Sequence, residues 1–219
     1  MSWTTIQQSR TAWAQLHSAP PAEIRTEFDN LRHLVVEHRS SYGAGWQSLT
    51  LHGERPHWTE GIDRYPGHEN DLDWKYDYHW TEVATQCPIT VEYIKSLPFK
   101  KLQRVRFMLL RPGGLIDYHR DVNKMNLSPL NISINMPQGC EFTTYDYESE
   151  QHEKVVPFVD QSAFIVNIGH YHRVINRSNQ DRLHMIVHGQ YTQDFYNQPQ
   201  NYISRVDPEY KDLFDENFN

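Results

Sequence analysis

His119 and Asp121 flank Arg120 in the stretch RPGGLIDYHRDVNKMN, residues 111–126. On an extended strand, residues two apart point to the same face. An imidazole nitrogen and a carboxylate oxygen would then converge on one point. A second imidazole would complete a facial set of two His and one carboxylate, which holds non-haem Fe(II) and leaves positions open for other ligands. Two candidates lie downstream in NIGHYHRVIN, residues 167–176: His170 and His172, also two apart.

Ten residues after His172 comes Arg182, in Asp181-Arg182-Leu183-His184. On a strand, Arg182 and His184 share one face, and Leu183, Met185 and Val187 the other. A polar face on an otherwise aliphatic strand implies a wet pocket. Asn131, Ser133 and Asn135 alternate in the same way with Leu130, Ile132, Ile134 and Met136. Arginine grips a carboxylate through two parallel hydrogen bonds, which lysine cannot do. A metal triad beside an inward arginine suits a 2-oxo acid. Its 1-carboxylate and 2-oxo group would chelate the metal, and the arginine would clamp the far carboxylate.

These residues need strands to carry them, and the pattern supplies them. Val105–Leu110 predicts a strand, stopped by the turn Pro112-Gly113-Gly114. Leu115–His119 is the next, and residues 122–129 form a loop. Leu130–Met136, Glu141–Tyr147, Lys154–Phe158, Ala163–Ile168, His172–Asn176 and Arg182–Tyr191 complete about eight short strands, the spacing of a sandwich or barrel. Upstream, Ile24, Phe28, Leu31, Leu34 and Val35 recur at helical spacing behind Pro20-Pro21, predicting a helix over about 22–38. His33 and His38 would be solvated on it. Trp46–Leu51 predicts a strand, 53–79 a long loop, and Pro88 to about Leu97 a short helix. His52, His57, His68 and His79 lack ligand spacing. Residues 1–19 are expected to form an arm or short helix that packs its aromatics on the body. A helix is expected at 208–214.

The 219 residues carry 21 Lys+Arg against 28 Asp+Glu, a net charge of -7, with no basic cluster. That argues against a nucleic-acid binder, whose phosphate contacts need concentrated Lys and Arg. Hydrophobic residues are only 38%, but aromatics reach 13% and bury large areas each, so a core is still available. Two cysteines, Cys87 and Cys140, exclude a disulfide scaffold or a multi-thiolate zinc site, leaving at most one bridge; a reducing cytoplasm fits. No apolar run reaches membrane-span length, and MSWTTIQQSRTAW lacks the features of a signal peptide. A single domain located in the cytoplasm, with no nucleic-acid or membrane partner, is expected.

The order His119-x-Asp121, His172, Arg182 resembles the Fe(II)/2-oxoglutarate-dependent oxygenases. The local wording is similar to the aspartyl/asparaginyl β-hydroxylase family. The likeness includes Val105-Arg106, Leu109-Leu110-Arg111-Pro112-Gly113-Gly114, and His172-x-Val174-x-Asn176 with Arg182. It extends back to Gly45-Trp46, Trp80-Thr81-Glu82 and Cys87-Pro88, covering about residues 45–190. The resemblance implies a mainly β fold, a double-stranded β-helix (a cupin-like jelly roll) with N-terminal helices. It implies His119, Asp121 and His172 as iron ligands, with His172 rather than His170 because His172 carries the downstream spacing. It implies Arg182 as the 2-oxoglutarate clamp, with O2 as oxidant and ascorbate in support. His184, Asn131 and Asn135 are further candidates for cosubstrate contacts.

Two departures bear on the substrate. The vertebrate peptide hydroxylases of the family lack the acidic ligand that Asp121 provides here, as it does in the family's free-proline hydroxylases. They also carry basic 2-oxoglutarate-contacting residues on the strand that here reads Asn131-Ile132-Ser133-Ile134-Asn135. The expected function is hydroxylation of a small molecule, a free amino acid or related metabolite. The alternatives are hydroxylation of Asp, Asn or another residue in a peptide, and a non-enzymatic cupin-like binding protein.

Overall fold

The computed structural model describes residues 11–59, 77–121, 129–145 and 152–208. Among these residues, thirteen strands form two antiparallel sheets. The large sheet runs β13 (Ile203–Val206), β1 (Trp13–Leu16), β10 (Ser162–Val166), β7 (Leu130–Ser133), β12 (Arg182–Tyr191), β5 (Phe99–Leu110), β3 (Trp46–Gly53), β2 (Val36–Glu37), with β4 (His79–Trp80) also on β3. The small sheet runs β6 (Leu115–His119), β11 (His172–Asn176), β8 (Cys140–Tyr145), β9 (Glu153–Val155).

Alternation along the strands divides the interior in two. Val105, Phe107 and Leu109 of β5 and Leu183, Met185 and Val187 of β12 join one apolar cluster with helices α1 (Ile24–Leu31) and α2 (Pro88–Ser96). A second cluster lies between the sheets, with Leu110, Phe142, Phe158, Phe164 and Val174. The large sheet is thus sandwiched between helices and the small sheet. Buried Glu27 of α1 ties the helices together by accepting from the Ile89 and Thr90 amides at 2.8 and 2.9 Å, where α2 begins. An anion suits the free N–H groups of a helix N-terminus.

Several expectations change. The first helix ends at Leu31 in a short 3₁₀ turn, Arg32–Leu34, and Val35 is extended. β-Branched Val36 then pairs with Ser48 at the sheet edge instead of prolonging the helix. Of the expected arm or short helix, residues 1–10 lie outside the described residues, while Trp13–Leu16 form a strand, β1, where Trp13 packs on Phe164 with centroids 5.6 Å apart. The Leu130–Met136 strand stops at Ser133, because the Ile134 and Asn135 amides both turn to the Leu183 carbonyl at 3.1 Å. That bulge reverses the alternation, so Met136 packs on the inner cluster rather than beside Ile132 and Ile134. The short helix α3 (Gln193–Asn197) and β13 were not anticipated. The 208–214 helix, His68 and most of the 53–79 and 122–129 loops lie outside the described residues. Both cysteines are free and buried. Among the described residues, no helix is long and apolar enough to cross a membrane.

Gly114 sets the entry to β6. A Cβ there would stand 2.7 Å from Leu110 Cδ1 and 2.8 Å from the Arg111 carbonyl oxygen, so only glycine permits this tight return. The return starts β6 so that His119 falls at its far end.

Candidate active site

β6 and β11 are hydrogen-bonded neighbours, and their register sets His119 directly opposite His172. Asp121 follows two residues beyond His119, its amide donating to the Ile168 carbonyl at 3.1 Å. His119 Nε2 lies 3.8 Å from Asp121 Oδ1, and His172 Nε2 lies 3.9 Å from Asp121 Oδ2. All three ligand atoms fall within 4.8 Å of one another, the spacing of a shared metal ion. Each imidazole is oriented from behind. His119 Nδ1 is 2.6 Å from the Asp117 carbonyl and His172 Nδ1 is 2.9 Å from the His170 carbonyl. A carbonyl only accepts, so Nδ1 carries the proton and the Nε2 lone pair is free for a metal. Burial, with the neighbouring His119, lowers the His172 pKa to about 4, keeping it neutral. Phe142 stacks on its ring at 5.8 Å. His170 is turned elsewhere, with Nδ1 2.7 Å from the Tyr145 carbonyl.

The three groups open into a cavity of about 690 Å³ between the sheets, a volume typical of small-molecule sites. Asn131 and His184 line it as well. Arg182 is fully buried beyond them. Its Nη1 lies 2.9 Å from His184 Nδ1, while Nε and Nη2 have no protein partner. The guanidinium must be the donor, so His184 Nδ1 accepts and its proton sits on Nε2. Burial, then the cations Arg182 and Arg106, push the His184 pKa far down and hold the ring neutral. Burial also lowers the Arg182 pKa, to about 10, with Cys140 opposing it. Leaving a buried cation with unmet donors is costly, and a bound carboxylate would satisfy both donors. The Ser133 and Thr144 hydroxyls are likewise buried without partners.

Asn135 is a correction. Its amide group donates to the Asp181 carbonyl at 3.0 Å and accepts from the Leu183 amide at 2.7 Å. The bulge after Ser133 turns it out of the metal cavity toward a smaller surface cavity of about 400 Å³ beside Arg32, Arg111 and Asp181. His38 is a second correction. It is buried, its ring tilted 30° against Trp46 with centroids 3.8 Å apart, and it lines the main cavity. Burial, then Arg106, Arg104 and Arg39, lower its pKa to about 2. His52 is buried too, its Nδ1 2.6 Å from the Gln103 carbonyl, a structural role. His33, His57 and His79 are exposed.

Sequence reasoning missed the cavity wall on β5. Arg104 and Arg106 alternate there with Val105 and Phe107, the same polar-in, apolar-out signal that singled out Arg182 and His184 on β12.

The two sets of donors fit Fe(II) and a 2-oxo dicarboxylate. Two imidazoles and one carboxylate form a three-point set that leaves metal positions open. The orphaned N–H groups of Arg182 call for an anion of matching shape.

The family model described as aspartyl/asparaginyl beta-hydroxylase matches residues 19–190. No curated protein matches the sequence. Among solved structures, a prolyl hydroxylase from Trichoplax adhaerens, in complex with a hypoxia inducible factor peptide, aligns with a TM-score of 0.51. That alignment has 10% identity over 84% of this chain and 86% of that one. It shows the double-stranded β-helix fold. A prolyl-4-hydroxylase from Pseudomonas putida aligns at TM-score 0.48 and 14% identity, over 88% of this chain and 100% of that one. A 2OG-Fe(II) oxygenase family oxidoreductase from Burkholderia pseudomallei aligns at 0.46 and 14%, over 85% and 86%.

Proposed function

The chain belongs to the aspartyl/asparaginyl β-hydroxylase family, and from that premise we propose that it is an Fe(II)- and 2-oxoglutarate-dependent dioxygenase that hydroxylates a free amino acid or a related small metabolite. The observation that carries this reading is the pairing of two features in one barrel. The His119–Asp121–His172 cluster offers three converging ligands, and buried Arg182 offers two unmet donors.

Bound Fe(II) and 2-oxoglutarate would supply the oxidising chemistry, in which O2 converts 2-oxoglutarate to succinate and CO2 while one oxygen atom enters a substrate C–H bond. The chain's own residues do the rest. The Asp117 and His170 carbonyls fix both imidazoles so that only Nε2 faces the metal. Arg182 would hold the far carboxylate of 2-oxoglutarate. Neutral His184 would present Nε2–H to the cosubstrate, and Asn131 lines the same wall. Apolar Ile116, Phe142 and Val174 shield this part of the cavity from water.

Asp121 and the small-molecule scale of the cavity favour a free metabolite over a peptide. Family membership disfavours the non-enzymatic reading. The test is incubation with Fe(II), 2-oxoglutarate and either an amino-acid pool or a peptide library, following succinate and the gain of one oxygen by mass spectrometry. Oxygen gained by the free amino acids supports the reading. Oxygen gained by peptides alone overturns it.

A further inference from the structure

Arg106 is a second buried arginine with an unmet donor, and neither the metal nor the 2-oxoglutarate clamp accounts for it. It is 3% exposed and lines the main cavity. Its Nε has no partner, and its Nη1 lies 3.2 Å from His38 Nε2. His38 is neutral here, so it accepts one hydrogen bond without supplying charge. No carboxylate pairs with Arg106 among the described residues. Among the described residues, the acids on the cavity wall are Asp117 and Asp121. Asp121 belongs to the metal cluster, and exposed Asp117 accepts from the Tyr118 amide at 2.7 Å.

Arg39 and Arg104 also line this cavity, and His188 beside them is held neutral by burial and by Arg104 and Arg106. Burial, then Arg104 and Arg39, push the pKa of Arg106 itself well down. An isolated buried cation is costly, and an incoming anion would relieve that cost.

Sheet register separates Arg106 from the clamp. Arg182 pairs with Leu110, whereas Arg106 pairs with Ile186. The two arginines therefore sit four positions apart along neighbouring strands, ~13 Å at the rise of an antiparallel strand. Arg182 is near Cys140, whose partner Asn176 ends β11, while the metal cluster is at the other end of that strand, at His172. The inner face offers two anion positions, one beyond the metal and one on the large-sheet wall that faces it.

We propose that Arg106 is a specificity-determining residue that binds the carboxylate of the primary substrate, so that the enzyme takes small organic acids with a free carboxylate and rejects their neutral counterparts. This rests on the small-molecule reading above and names its substrate class. Arginine suits the task because its planar fork matches a carboxylate, and no acid among the described residues pairs with Arg106. A site built to pair a charge discriminates strongly against a ligand that leaves the charge unmet.

The test pairs free amino acids and other small organic acids with their primary amides, using the iron-loaded protein with 2-oxoglutarate. Product is read as a gain of one oxygen. The acids should be turned over at least 100-fold more efficiently than the amides. Arg106→Gln should raise KM for the preferred acid at least 30-fold, collapse the acid-over-amide preference, and leave KM for 2-oxoglutarate within threefold. Arg106→Lys, which keeps the charge, should recover part of the preference. Equal turnover of acids and amides overturns the proposal and leaves the small-molecule reading standing. A rise in KM for 2-oxoglutarate in place of that for the acid also overturns it, by giving Arg106 to the cosubstrate. Turnover of peptides alone overturns both the proposal and the small-molecule reading; turnover of no acid overturns the proposal.

Discussion

On β5 and β12, the residues facing the helices and those facing the small sheet have opposite requirements. Phe107, Leu109, Leu183 and Met185 lie in a dry apolar cluster with Ile24 and Phe28. One position along, Arg106, Arg182 and His184 are just as buried; Arg106 and His184 line the cavity with Arg182 beyond them, and among the described residues no acid pairs with Arg106 or Arg182. The outer face holds the sheet together. The inner face gives up stability, because buried charge without a partner is unfavourable, and keeps its donors for ligands. Strand alternation lets one pair of strands do both.

The contrast can be broken first from the outer face. Phe107 is fully buried and edge-on to Phe28 at 5.1 Å. Phe107→Ala should cost about 3–5 kcal/mol of unfolding free energy in urea titration, as large aromatic truncations do. A loss under 1 kcal/mol would mean that the helix-side cluster does not carry the fold.

Arg182→Met should behave in the opposite sense. Replacing a buried unpaired charge with an apolar side chain should raise the stability of ligand-free protein by about 1–4 kcal/mol. The same change should weaken 2-oxoglutarate binding by about 2–5 kcal/mol, the cost of breaking a buried charge pair. A variant that is less stable yet binds 2-oxoglutarate normally would assign Arg182 a structural role.

Acid should expose the inner face next. His38 is neutral in the fold, with its pKa lowered to about 2, while an unfolded histidine titrates near 6.5. The unfolded chain therefore gains a proton first. The contribution of His38 is complete above pH 6.5 and is lost as pH falls toward 2, at up to about 1.4 kcal/mol per pH unit. His38→Gln should flatten the decline between pH 6 and 4; an unchanged slope would place the acid sensitivity elsewhere.

The smallest effect should come from Ser133→Ala. The hydroxyl is buried with no protein partner, so its removal should change ligand-free stability by less than about 1 kcal/mol. A larger loss would show that the hydroxyl is structural.

Much of this was legible in the sequence because period-two alternation is a local signal. Leu115–His119, His172–Asn176 and Arg182–Tyr191 keep their expected bounds. What could not be read depended on distant partners. Nothing local ends the helix at Leu31; Val36 leaves it to pair with Ser48. Nothing local turns Asn135 outward; the Leu183 carbonyl draws two successive amides and shifts the phase. His38 looked like a solvated helix residue until the edge strand carried it under Trp46. Arg106 was visible in the pattern of β5, but its unmet donor exists only once β3 and β12 flank it.

The central claim is that one barrel holds Fe(II) on His119, Asp121 and His172 with 2-oxoglutarate clamped by Arg182. Anaerobic titration of the Fe(II)-loaded protein with 2-oxoglutarate tests it directly, through the visible charge-transfer band of an iron-bound 2-oxo acid. The band should appear with wild type, demand far more 2-oxoglutarate in Arg182→Met, and vanish in His172→Ala. Its absence from wild type, or its survival in His172→Ala, would contradict the assignment.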